Sequence, residues 1–199
     1  ISQENLKNPS ITNIKNYYKQ WYVPNNMAIC MSGDLDPDAT IALIDKYFGG
    51  LKPNPELPKL DLPKEAPITQ PVVKEVLGPD AESVALAWRF PGVSDKDFEI
   101  LQVVSQVLYN GKAGLIDLDL NQQQKVLNSY GYPMGLADYS ALLLGGLPKQ
   151  GQTLEEVKDL LLSEIKKLRA GEFDEKMLEA NINNFKLGEL QNMESNEGR

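Results

Sequence analysis

Histidine is absent from all 199 residues, and cysteine occurs once, at Cys30. Without histidine, no Ser-His-Asp triad, Cys-His dyad or imidazole-ligated zinc or haem site can be assembled from this chain. A single thiol excludes an intrachain disulfide and a cysteine-held metal cluster. Long apolar runs are missing too. Ala141–Leu147 is far short of the roughly 20 residues a membrane helix needs, so no membrane segment is expected. Positive charge is in deficit, with 20 Lys and Arg against 28 Asp and Glu for a net −8. The lysines are scattered, so no basic stripe forms and nucleic acid is not an expected partner. The chain opens on Ile1 with neither methionine nor a signal-peptide pattern, as expected of a processed or trimmed piece without an N-terminal targeting region. What remains is ordinary for a folded protein: 42% hydrophobic and 24% charged residues, enough core for one large α/β domain or two smaller units.

Punctuation along the chain divides it. Ser10 or Thr12 is placed to cap a helix with an apolar face of Ile14, Tyr17, Tyr18 and Trp21, and Pro24-Asn25-Asn26 ends it. Met27–Met31 reads as a short buried strand. Asp36-Pro37 starts a second helix that stops at Gly49-Gly50. This helix–strand–helix needs more sheet than the chain supplies, so it reads as a partial unit, residues 1–52. Six of the thirteen prolines fall within 53–71, the mark of a semi-extended linker. Residues 72–199 form the second unit. Val72–Leu77 and Ser83–Phe90 are expected to pair as a hairpin across Gly78-Pro79-Asp80. Ser94 with Asp97 predicts a cap for a broad apolar helix ending at Asn110-Gly111. A short helix over 113–123 follows, then strands over 126–139, interrupted at Pro133, and 140–147. Thr153 to Glu156 is a capping box, and Asp174 starts the last helix. Helices in runs around paired strands predict an α+β fold, an antiparallel sheet with helices packed on one face.

Local motifs carry little chemistry. Cys30 lies in an apolar run with nothing basic beside it, which predicts an inert buried thiol. Tyr17, Tyr18, Trp21 and Tyr22 read as core by their helical spacing, with a recognition surface the alternative. Trp88 and Arg89 read as strand packing, with a cation–π contact the alternative. Gly111-Lys112-Ala113-Gly114 lacks the upstream glycine and the hydroxyl residue of a phosphate loop. The acidic pairs Asp117/Asp119, Glu155/Glu156 and Asp174/Glu175 read as solvated helix surface.

The order of short motifs says more. Asn5 to Ile11, the helix with Tyr17-Tyr18, and Trp21-Tyr-Val-Pro-Asn-Asn-Met27 resemble the Y-x-P-x-N-M stretch of the insulinase/pitrilysin family of metallopeptidases. Met31-Ser-Gly-Asp34 is similar to that family's strand end, and Tyr47-Phe-Gly-Gly-Leu51 to its helix end. Val84–Pro91, Asp97–Gly111 and Leu168–Leu178 resemble further family segments in the family's order. The resemblance spans nearly the whole chain. It implies the tail of a first α/β unit and nearly all of a second, both insulinase/pitrilysin-like (metallohydrolase-like). The family's inverted H-x-x-E-H zinc site lies before the portion seen here, so zinc is expected in a parent protein and none in this chain. Active second halves carry an Arg and a Tyr seven residues apart; Asn121 and Asn128 stand at those positions. Either this is the zinc-bearing half, whose second unit has no need of that pair, or it is a degenerate half.

On this resemblance the chain is an inactive, structural and substrate-enclosing portion of a zinc metalloendopeptidase acting on peptides. The alternative is a non-catalytic subunit that scaffolds an active one. A second homologous half or subunit is the expected partner, with a peptide as the parent's substrate. No catalytic or metal-binding residue is assigned. The strand pair around 135–146 is the candidate contact for an added substrate strand, through Gly135, Asp138 and Tyr139, with a plain structural hairpin as the alternative. The negative charge predicts basic or neutral peptides.

Overall fold

The computed structural model describes residues 3–59 and 63–198. The chain divides into two units, one up to Val73 and one spanning Lys74–Gly198.

The first unit holds helices α1 (Gln3–Lys7), α2 (Ile11–Trp21) and α3 (Pro37–Phe48), with a 3-10 turn at Pro24–Asn26. Ser10 is the α2 cap, its Oγ accepting from the Asn13 N–H at 3.3 Å. Asp36 caps α3, accepting from Ala39 N–H at 2.9 Å, with Pro37 preset in helical φ just behind it. Asn25 and Asn54 exchange two hydrogen bonds, Nδ2 to carbonyl at 2.8 Å and N–H to Oδ1 at 3.0 Å. These tie the start of the proline-rich stretch to the end of α2. Beyond it the stretch runs without a ladder, and positions 60–62 of the expected linker lie outside the described residues.

Two expectations fail in this unit. Met27–Met31 makes no strand ladder and is exposed, Cys30 included. The α2 face is also exposed, with Tyr17 and Tyr18 each 60% accessible. A strand needs a neighbour and an amphipathic helix needs a second layer. Among the described residues of this unit, neither is supplied.

The second unit is a three-stranded antiparallel sheet of β1 (Val84–Pro91), β2 (Asn128–Gly135) and β3 (Tyr139–Leu147), in the order β1-β3-β2. Helices α4 (Lys96–Leu108), α5 (Leu154–Ala170) and α6 (Lys176–Asn192) complete it. Period-two alternation decides the faces. Leu142, Leu144 and Gly146 of β3, with Val84, Leu86, Trp88 and Phe90 of β1, face a core built with Leu101, Leu108, Val157 and Leu161. Leu108, Leu144, Val157 and Leu161 are fully buried there. The helices thus cover one face of the sheet, as the α+β reading requires. The capping box of α5 forms, and Gly171 ends that helix at φ 73°, a left-handed turn that a side chain would strain.

Four details differ from expectation. Val72–Leu77 does not pair with β1 and stays exposed, Val73 at 90% and Leu77 at 94%. Its alternation is wrong for an edge strand: Val72-Lys74-Val76 and Val73-Glu75-Leu77 each carry a charge in mid-face. Asp95 rather than Ser94 caps α4, accepting from Asp97 N–H at 2.9 Å. The short helix expected over 113–123 forms over 115–121, but its last five residues, Asp117–Asn121, are wound as a π-helix. Pro133 does not interrupt β2; it stands in register opposite Leu142. The turn bond from Leu136 N–H to Tyr139 O fixes which β2 residues point to β3. By alternation, Pro133 falls on the outward side, where its missing N–H costs no ladder bond.

Candidate functional site

Gly135, Asp138 and Tyr139 come together at the closed end of the β2–β3 hairpin, but on different faces. A Cβ on Gly135 would meet Phe98 and Val93 on the helix side. The Tyr139 ring lies on the opposite face, with the Arg89 guanidinium carbon 5.0 Å from its centroid, a cation–π pair. Asp138 is exposed in the turn between them. β3 is the central strand, bonded on both sides, so an added strand has only the outer edges of β1 and β2 to meet.

The β2 edge is already occupied at its start. The Asn121 carboxamide accepts from the Ser129 N–H at 2.8 Å and donates to the Ser129 carbonyl at 2.8 Å. Its Oδ1 also accepts from the Ser129 hydroxyl at 2.8 Å. Asn121 stands at the end of the π-helix and Asn128 is the exposed first residue of β2. The two asparagines thus stand on a helix and the strand that follows it, with Asn121 engaged in structure.

The π-helix is held by two carboxylates that the sequence reading assigned to solvent. Asp117 is buried, and its Oδ2 accepts from the Asn110 and Gly114 N–H groups, each at 3.0 Å. Asp119 receives Lys167 Nζ at 2.6 Å, and that ammonium also meets both Glu164 oxygens at 2.9 and 3.1 Å. The Lys167 hydrogen bond lowers the Asp119 pKa. Burial raises that of Glu164, only partly offset by Lys167. Burial works against the Lys167 ammonium, but its bonds to Asp119 and Glu164 prevail and its pKa rises. The sequence did carry one signal of this network. Glu164 falls on the Val157–Leu161–Leu168 stripe of α5, where a solvated acid does not belong.

The residues present do not fit a metal. Among the described residues no cluster of three ligating side chains exists, and the donor set lacks histidine altogether. Nor is there an anion nest at 111–114. Asn110 Oδ1 accepts from Lys112 and Ala113 N–H at 3.0 and 2.9 Å, and Asp117 takes that of Gly114. No helix among the described residues is long and apolar enough to cross a membrane.

Residues 10–185 match the family described as Peptidase M16 inactive domain. The chain is 26% identical to the zinc protease PqqE of Helicobacter pylori (strain ATCC 700392 / 26695), over 96% of this chain and 44% of that protein. It therefore spans less than half the length of this curated relative. Among solved structures, a protease from Helicobacter pylori superposes with a TM-score of 0.81 at 22% identity, over 99% of this chain and 49% of the other. The first half of the periplasmic protease PqqL from Escherichia coli gives 0.65 at 16% identity, over 98% and 43%. These two likenesses show a shared fold.

Proposed function

The chain belongs to the peptidase M16 family, as its inactive domain, and from that premise we propose that it walls the substrate chamber of a zinc-dependent metalloendopeptidase. The observation carrying this reading is the match to the inactive domain over residues 10–185 in a chain with no histidine. Zinc and the attacking water then belong to the rest of the parent. The zinc-protease name of the curated relative supports that division. So does the likeness to the first half of a periplasmic protease; on this reading a second homologous half closes the chamber.

The unit boundaries follow the same reading. Residues 1–52 are the tail of a first α/β unit, 53–71 a linker, and 72–199 the non-catalytic second unit. The exposed apolar side chains of α2 and of Met27–Met31 support this, because a sheet from elsewhere in the parent would cover them. Peptide contact is assigned to the hairpin end, through the outward backbone of Gly135, the Asp138 carboxylate and the Tyr139 ring. The net charge of −8 favours basic or neutral peptides there.

The test compares this chain with its parent. The purified chain is expected to show no chelator-sensitive hydrolysis of an unstructured peptide and no stoichiometric zinc. The parent is expected to show both. Chelator-sensitive activity in the chain alone would overturn the reading, and a zinc-free, inert parent would favour a scaffolding subunit instead.

A further inference from the structure

Where the π-helix meets α5, two carboxyl groups share a single ammonium, and their charges do not balance. Lys167 Nζ bonds one oxygen of Asp119 and both oxygens of Glu164. With all three groups ionised, the cluster is left with a surplus negative charge. Asp119 and Lys167 keep 36% and 33% of their side chains in solvent, whereas Glu164 keeps 2%. Charge is penalised most where water is least, so the surplus weighs on Glu164.

The bonds around Glu164 point the same way. Ser163 Oγ donates its one hydrogen to the Leu160 carbonyl at 2.6 Å, yet it also lies 3.2 Å from Glu164 Oε1. Two acceptors face each other there unless Oε1 carries a proton. The Asp119 carboxyl is a second hydrogen-bonding neighbour of Glu164. A proton on Glu164 therefore has an acceptor on either side.

The elements packed on α5 bring no rival charge to it. β3 has no charged residue. On β1 only Arg89 is charged, and it lies over the Tyr139 ring on the far face of the sheet. The charged residues of α4, Lys96, Asp97 and Glu99, are exposed in its first turn. On the π-helix, Asp117 is turned to the Asn110 and Gly114 amides. Lys125, just beyond it, acts on Asp119.

We propose that Glu164 is a proton-operated latch between α5 and the π-helix. With the proton on, its carboxyl donates to the Ser163 hydroxyl or to Asp119, Lys167 pairs with Asp119, and the cluster is neutral. With the proton off, the ammonium is divided between two carboxylates and the surplus charge stays buried. The π-helix is fastened in both states, and more firmly in the protonated one. Asn121 of the same turn holds the Ser129 backbone, so the fastening reaches the start of β2. The latch lies wholly within the second unit, and its failure would leave the enclosing role proposed above untouched.

The test uses the full chain and its Glu164→Gln variant, whose carboxamide cannot ionise while Lys167 keeps Asp119 as partner. The Glu164 pKa is raised in the fold, so its contribution is complete below the ordinary 4.5 and lost as pH rises through the folded value. Glutamine loses nothing over that range. The denaturant midpoint of the variant is expected above that of the natural chain at neutral pH, with the gap narrowing as pH falls toward 4.5. A variant less stable than the natural chain at neutral pH, or a gap that does not change with pH, would overturn the proposal. Where Glu164→Gln fails to fold, the isotope-labelled natural chain decides by NMR. Its Glu164 carboxyl is expected to titrate above 4.5 while Asp119 titrates below 3.8. A Glu164 carboxyl titrating at or below 4.5 would leave an ordinary ion pair and no latch.

Discussion

Gly146 sits on β3 beneath α5, and a Cβ there would stand 2.5 Å from Val157 Cγ1. Gly146→Ala is expected to lower unfolding free energy by about 1–3 kcal/mol through overpacking, read from the denaturant midpoint. Leu144, fully buried on the same strand, works in the other direction: Leu144→Ala leaves a cavity and should cost about 2–5 kcal/mol. At this scale the sequence was legible where the chemistry is local. Thr153 and Glu156 form their capping box, and Asp36 caps α3, because each partner lies three residues away. Asp117, Asn121 and Ser129 were not legible as a group. Each of their bonds depends on where a five-residue π-turn points its side chains, and no propensity encodes that.

The pairing of the π-helix with α5 depends on one ammonium. Lys167→Met would leave Glu164, about 1% exposed, beside Asp119 with no cation between them. A loss of about 2 kcal/mol at neutral pH is expected, below the roughly 3–5 kcal/mol of a fully buried broken pair, because Lys167 is itself a third exposed. The pH dependence separates the two acids. The lowered Asp119 pKa gives the natural chain stability above its ordinary value of 3.8, lost as pH falls through the folded value. Glu164 has the opposite sign. Its pKa is raised by burial, so its ionisation erodes stability as pH climbs from 4.5 through the folded value. In Lys167→Met the first contribution fades and the second grows. Mild acidification should therefore stabilise the variant more than the natural chain, so that part of its deficit is regained. Denaturant midpoints at neutral and mildly acidic pH decide this, and parallel loss in both proteins would refute it. The same lesson holds for strands. Pro133 looked like an interruption of β2 and is tolerated because β2 is an edge whose outward side needs no ladder bond there.

Across the whole molecule, the two units differ in how much core they own. The second buries Leu108, Leu144, Val157 and Leu161 completely, while the first leaves Ile14, Tyr17, Ile29 and Phe48 exposed. Limited proteolysis of the isolated chain is expected to cut first before Val84, in the first unit and in residues 74–83, which form neither helix nor strand, and to leave 84–192 as the resistant fragment. Early cleavage inside β3 or α5 would contradict that order. The sequence by itself determined that the chain carries no histidine-ligated zinc site, since missing histidine is a fact of composition that no fold can repair. It also determined the α+β class and the family, through caps, breakers and motif order that act over a few residues. Only the tertiary structure decided that β3 is central, that Val72–Leu77 goes unpaired and that Asn121 hydrogen-bonds the backbone of Ser129. Those outcomes depend on which edges remain open after long-range pairing, and strand order is not written in any local period.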